Sequence, residues 1–254
     1  VRSGAATLYY PLWHLEIEDL LVLKNNRGTE ENRARHMDYA VQINGFLYRR
    51  LQSGENITLF SPHEVPDLYL SFFNDQEKFA KLYKKYESDD SIIYKKTVNS
   101  IDLFSLLMRE RANTGRIYIM NVDHCNTHSS FIESVAPIKQ SNLCSEITLP
   151  TKPLSNKDKE TGEIALCILA AINVGKIGLD HEKMRECTKL LVFALDSLID
   201  LQNYPVYEAE RSTKERRSLG IGVINFSNFL AQRDLKISSS NSYEATHALF
   251  EMLQ

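Results

Sequence analysis

In the stretch QSNLCSEITLP, residues 140–150, Cys144 stands two residues after Asn142 and two before Glu146. A thiol can act as nucleophile, metal ligand, redox partner or radical carrier. The first role needs a nearby base, usually histidine, and none is close in sequence. A redox role needs a second cysteine, and Cys167 follows across a turn-rich connection, 151–162. An inert buried thiol is the commonest fate of a free cysteine. If the segment is extended, positions i, i+2 and i+4 share a face. Amide, thiol and carboxylate would then be presented together.

Other residues invite chemistry and carry less of it. DHCNTH (123–128) places His124, Cys125 and His128 within six residues. A structural zinc site needs a complementary second pair, and none stands out. ERSTKERRSLG (210–220) gathers Arg211, Lys214, Arg216 and Arg217. A solvated approach to a helix explains this cluster better than a nucleic-acid patch. LGIG (219–222) lacks the context of a phosphate-binding loop. Tyr9, Tyr10, Tyr39 and Tyr118 read as core or boundary residues.

The elements that must position these groups alternate between strand and helix patterns. Strands are predicted at 5–10, 38–44, 56–62 and 116–123, and helices at 14–23, 46–52, 65–87 and 100–115. Pro66 marks a helix entry and Gly115 a helix end. A polar loop is predicted over 124–142. The apolar run 163–177 reads as a buried strand, with a helix as the alternative. A helix is predicted at 182–202, and a glycine-bearing strand followed by a helix over 218–232. The alternation argues for an α/β architecture.

Composition narrows the function classes. The 254 residues are 43% hydrophobic and 25% charged, with a net charge of −3. Nothing suggests binding of nucleic acid through bulk charge. No apolar run approaches the length of a membrane span. Four scattered cysteines do not make a disulfide scaffold, so a reducing cytoplasm is the expected compartment. The chain opens on Val1, in a small-residue stretch running into a strand, and reads as an internal segment of a longer protein.

Several segments together resemble the large, catalytic subunit of class I ribonucleotide reductase. They include VRSGAATLYYPLWHLEIEDLLVLKNNRG, RHMDYAVQIN, ITLFSPHEVPDLY, NVDHCNTHSSF, QSNLCSEITLPTKPL, GEIALCILAAINVG and RRSLGIGVINF, in the same order along the chain. The resemblance implies part of a ten-stranded α/β barrel built from two five-stranded halves. Residues 1–254 would hold the end of the first half-barrel, a finger loop around 140–147 and the start of the second. Cys144 matches the finger-loop cysteine that becomes a thiyl radical and abstracts hydrogen from C3′ of a ribonucleoside diphosphate. Glu146 matches the carboxylate base, and Asn142 the amide that holds the substrate hydroxyls. Cys167 matches one member of the pair that is oxidised to a disulfide, with its partner outside this chain. Arg2 matches a loop arginine that reaches toward substrate.

The same resemblance implies partners. A metal-containing small subunit supplies the radical, nucleoside triphosphates act as effectors, and thioredoxin or glutaredoxin supplies electrons. The large subunit forms a homodimer. The family's ATP cone, relay cysteines and paired pathway tyrosines match no stretch here. The chain is therefore expected to be inactive alone. Two alternatives remain at this level: a split-gene assembly subunit, and a segment of a cobalamin-dependent reductase.

Overall fold

A computed structural model describes residues 3–154 and 161–254. The chain divides into two compact units, Val1–Thr151 and Lys152–Gln254.

The first unit begins with strand β1 (Thr7–Pro11) and a short helix, α1 (Ile17–Val22). A 3-10 turn (Glu30–Asn32) precedes β2 (Asp38–Ile43), which leads into α2 (Gly45–Gln52). Asn44 starts that helix by accepting the Leu47 amide at 3.2 Å. Strand β3 (Ile57–Phe60) follows, and then the predicted single helix over 65–87 is two: α3 (Pro66–Asn74) and α4 (Gln76–Glu87). The break is Asp75, whose backbone is extended and whose carboxylate caps the second helix through the Lys78 amide at 2.9 Å. The apolar periodicity runs through the break, so only the capping chemistry marks it. Strand β4 (Lys95–Val98), absent from the sequence reading, pairs antiparallel with β3. Helix α5 (Ser100–Thr114) is capped by Asn99 and stopped by Gly115 at φ +64°, a conformation costly for other residues. It leads into β5 (Ile117–Asn121). The predicted loop at 124–142 starts instead with a helix, α6 (Val122–Thr127).

Strands β1, β2 and β5 form one parallel sheet in that order. Register-paired residues of parallel strands point to the same side. One side carries Tyr10, Tyr39, Val41, Ile43 and Ile117, which enter a core with Trp13, Phe46, Phe60, Phe72, Phe79 and Tyr83. The other side carries Thr7 with Asp38, then Tyr9 with Ala40 and Tyr118, then Pro11 with Gln42 and Met120.

The second unit contains β6 (Leu169–Asn173), α7 (Val174–Ile177), α8 (His181–Leu201), α9 (Tyr207–Arg216), β7 (Gly220–Ile224), α10 (Phe226–Ala231) and α11 (Ser240–Leu253). The expected long strand at 163–177 is thus a five-residue strand and one helical turn. Helix α8 is capped by Asp180 through the Lys183 amide at 3.1 Å. Helices α9 and α11 were not read from the sequence. Strands β6 and β7 are parallel. At their ends, the Asn225 amide donates to Asn173 Oδ1 at 2.9 Å. Gly175 makes room for it, since a Cβ there would lie 2.3 Å from Asn225 Nδ2.

Among the described residues no sheet closes on itself: the strands form one sheet of three and two of two. The architecture is α/β, as expected. Glu163 is 6% exposed and anchors the second unit, bonding Lys152 Nζ at 2.6 Å and Arg216 Nη2 at 2.5 Å.

Candidate active site

Residues 139–147 cross the polar side of the three-stranded sheet. The Gln42 amide donates to the Lys139 carbonyl at 2.6 Å. The Tyr9 hydroxyl donates to the Asn142 carbonyl at 2.6 Å, and the Thr7 hydroxyl donates to the Leu143 carbonyl. Thr7 and Tyr9 are two apart on β1, so the strand's alternation aims both at the crossing segment. Just upstream, the side chain of buried Asn126 on α6 brackets Ile138, donating to its carbonyl at 2.9 Å and accepting its amide at 2.8 Å.

Cys144 does not sit in an extended segment. The Ser145 amide donates to the Asn142 carbonyl at 3.2 Å, closing a tight turn with Cys144 at its third position. Ser145 takes a left-handed conformation, φ +63°. The Asn142 side chain folds back, and its Oδ1 accepts the amides of Glu146 and Ile147, each at 3.1 Å. The expected common face at i, i+2 and i+4 is therefore corrected. An asparagine that can bond its own downstream backbone competes with strand formation, and here it wins. Cys144 and Glu146 are both exposed on this turn.

The surroundings are polar and charged. Burial raises the Tyr9 hydroxyl above its ordinary range; bonding with Ser145 and Ser141 works against this, and nearby Glu146 reinforces it. The phenol therefore remains a donor at neutral pH. Arg116, at the foot of β5, is held more firmly protonated by Tyr118 first, then Asp38 and more weakly Cys144. A cleft of roughly 300 Å³ flanks the turn, lined by Met120, His124, His128, Ser141, Ser145 and Thr148 among others.

The remaining candidates fall elsewhere. Cys125 packs against the core, where burial, reinforced by Asp123, raises its thiol pKa. The rings of His124 and His128 meet edge-on at 5.4 Å. Among the described residues, no three His, Cys, Asp or Glu side chains gather as a metal site. The basic cluster is used internally: Arg217 pairs with Asp196 at 2.7 Å and Asp200 at 3.0 Å, Lys214 with Glu210 at 2.7 Å, Arg216 with Glu163, and Arg211 bonds the Gly162 carbonyl. Cys167 is exposed in the second unit, two residues before β6. Arg2 lies outside the described residues.

Thr7, Tyr9, Gln42 and Asn126 were missed as residues that hold the site. The strand alternation of TLYYP offered a signal for the first two. Asn126 lay inside DHCNTH, where the histidines and cysteine drew attention instead.

The family model described as "Ribonucleotide reductase, barrel domain" matches residues 1–254. The chain belongs to the ribonucleotide reductase barrel-domain family. It is 59% identical over 254 residues to subunit alpha of ribonucleoside-diphosphate reductase 1 from Escherichia coli strain K12. It is 48% identical over 256 residues to the alpha subunit from Enterobacteria phage T4, and 33% identical over 258 residues to the large subunit from Plasmodium falciparum. All or nearly all of this chain is matched in each case, but only 33%, 33% and 30% of those proteins. The chain thus spans about a third of the length of these curated reductase relatives.

Proposed function

We propose that this chain is the radical-bearing segment of a ribonucleoside-diphosphate reductase large subunit. What carries the reading is a turn bearing Asn142, Cys144 and Glu146, bonded to the sheet through Tyr9 and Thr7, in a chain that matches the reductase barrel domain throughout. Cys144, as a thiyl radical, takes hydrogen from C3′ of a ribonucleoside diphosphate, forming an S–H bond and a substrate radical. Glu146 accepts the 3′-hydroxyl proton as the 2′-hydroxyl leaves as water. Asn142 contributes its NH2 end to the substrate hydroxyls, since its Oδ1 already holds the turn. Cys167 and a second cysteine supply two electrons and two protons and become a disulfide, after which Cys144 returns hydrogen to C3′. The balance is dithiol plus ribonucleotide giving disulfide, deoxyribonucleotide and water.

The segment around 140–147 serves as the finger loop of a ten-stranded barrel, and residues 1–254 are part of that catalytic barrel. Arg2 reaches toward substrate. The radical comes from a metal-containing small subunit, and the large subunit works as a homodimer in the cytoplasm. Nucleoside triphosphates are the effectors, and thioredoxin or glutaredoxin is the reductant.

The test uses the full-length large subunit with its small subunit. Cys144→Ser is expected to abolish deoxynucleotide formation while circular dichroism and effector binding stay unchanged. Cys167→Ser is expected to block multiple turnover through loss of the reductant. Retained turnover in Cys144→Ser refutes the radical role.

A further inference from the structure

The Cys144 turn hangs from β1 by side-chain hydroxyls rather than by strand pairing. Two successive carbonyls, of Asn142 and Leu143, each accept one hydroxyl, from Tyr9 and Thr7. These carbonyls immediately precede the thiol-bearing residue, so both anchors act on the peptide planes that set where the Cys144 Cα lies. The downstream side is held differently, by Asn142 Oδ1 on the amides of Glu146 and Ile147. Apart from these bonds, the turn contains a left-handed non-glycine residue, Ser145, a conformation that persists only where surrounding contacts enforce it.

Resting on the reductase reading above, we propose that Tyr9, supported by Thr7, is a positioning residue for that reaction. It sets the reach and angle of the Cys144 sulfur without touching substrate. Several features fit this role. The Tyr9 ring is half-buried beside Ala40, the small residue at the same level of the central strand, and β2 is itself fixed between β1 and β5. The hydroxyl is a donor throughout the neutral range, so the anchor does not switch off. Its bond to the Asn142 carbonyl is direct at 2.6 Å. Hydrogen abstraction is acutely sensitive to such placement, because a displacement of about 1 Å can cost a reaction on the order of a hundredfold.

The test compares Tyr9→Phe, Thr7→Val and the double variant in the full-length subunit with its small subunit. Tyr39→Phe serves as control, since it removes a phenol of the same sheet that bonds the Ala34 carbonyl at 2.8 Å, away from the turn. Tyr9→Phe is expected to lower kcat by about tenfold with KM for the diphosphate unchanged, and the double variant further, on the scale of a sub-ångström misplacement. Site-resolved alkylation of Cys144, read by mass spectrometry of its peptide, is expected to accelerate several-fold in the same order. Effector affinity should match the parent, and Tyr39→Phe should match it in kcat, KM and alkylation rate. A kcat within twofold of the parent and an unchanged alkylation rate in Tyr9→Phe, while Cys144→Ser is inactive, overturns the positioning role alone. Turnover by Cys144→Ser brings down the reductase reading. In that event an unchanged alkylation rate in Tyr9→Phe still overturns the anchoring.

Discussion

The two compact units of this chain are built from the same alternation of strand and helix, yet they are held by different forces. In the first, β2 has Ala40, Val41, Gln42 and Ile43 all buried, and one side of its sheet closes over an aromatic core. Phe79 packs against Trp13, Phe46, Phe72 and Tyr83 with ring centroids 5.2–6.4 Å apart. In the second, the parallel sheet has only two strands, Leu169 and Ile224 on it are exposed, and the buried apolar residues form two small clusters. Helix α8 leaves Phe193 71% and Leu201 80% exposed. Parallel strands normally have both faces covered, and a two-stranded pair is marginal by itself. Charge pairing takes a larger share there, through Glu163 with Lys152 and Arg216, and Arg217 with Asp196 and Asp200. Aromatic packing is indifferent to pH, whereas ion pairs are not, so the units should fail under different stresses.

The largest effect that would sharpen this contrast comes from Phe79→Ala. It should destabilise the first unit by about 3–5 kcal/mol, as large aromatic deletions in closed cores do. Urea unfolding followed by the Trp13 signal measures it, and a loss under about 1 kcal/mol would mean the core is less tightly built than its contacts imply.

Next comes the second unit's charge pairing. Burial pushes the Glu163 carboxyl up, but hydrogen bonds from Lys152 and Arg216 outweigh it and hold the group below the ordinary glutamate value of 4.5. A depressed carboxylate contributes stability above the unfolded value, and that stability is lost as pH falls through the folded one. Amides of the second unit should therefore lose exchange protection before those of the first as pH drops from 7 to below 4.5. Glu163→Gln should cost about 1–3 kcal/mol at neutral pH and flatten this dependence. Simultaneous loss of protection in both units would break the comparison.

A smaller effect tests polar satisfaction within the aromatic core. The Tyr83 hydroxyl donates to the Thr58 carbonyl at 2.7 Å and accepts the Thr58 amide at 2.8 Å. Tyr83→Phe should cost about 1–3 kcal/mol by orphaning both groups, measured by thermal unfolding. The smallest effect is expected from Phe193→Asp on α8, within about 0.5 kcal/mol of the parent. Reduced binding of an apolar dye should accompany it; a large stability loss would show that Phe193 is packed.

Much of the first unit was legible from local signals. Its strands carry β-branched and aromatic residues, and its helices have Pro66, Asn99 and Gly115 at their ends. The helix break at Asp75 was hidden because the residues on both sides keep one apolar stripe. Strand β4, KKTV, has no apolar alternation: Lys96 and Thr97 are exposed, and Lys95 is half-buried with its ammonium on the Tyr86, Glu87 and Asp89 carbonyls. Helix α9 was obscured by its polar composition and holds its place through ion pairs that join residues distant in sequence, whereas α11, with Leu249 buried, was overlooked despite its apolar residues.

At the site, the sequence by itself determined which side chains are available for chemistry. Cys144, Glu146, Asn142 and Cys167 were singled out by residue type and by family resemblance, neither of which needs coordinates. Local sequence was insufficient for their arrangement. An asparagine followed by a run of small and polar residues can pair as a strand or fold onto its own amides. The local bonds of Asn142 Oδ1 to the Glu146 and Ile147 amides close the turn, and the carbonyl acceptors at 139, 142 and 143, opposite Gln42, Tyr9 and Thr7, tie it to the sheet. Those donors lie 97 to 136 residues away in sequence. Long-range hydrogen bonds of this kind exist only once the sheet has formed, and for that reason only tertiary structure decided how the turn is anchored to the sheet.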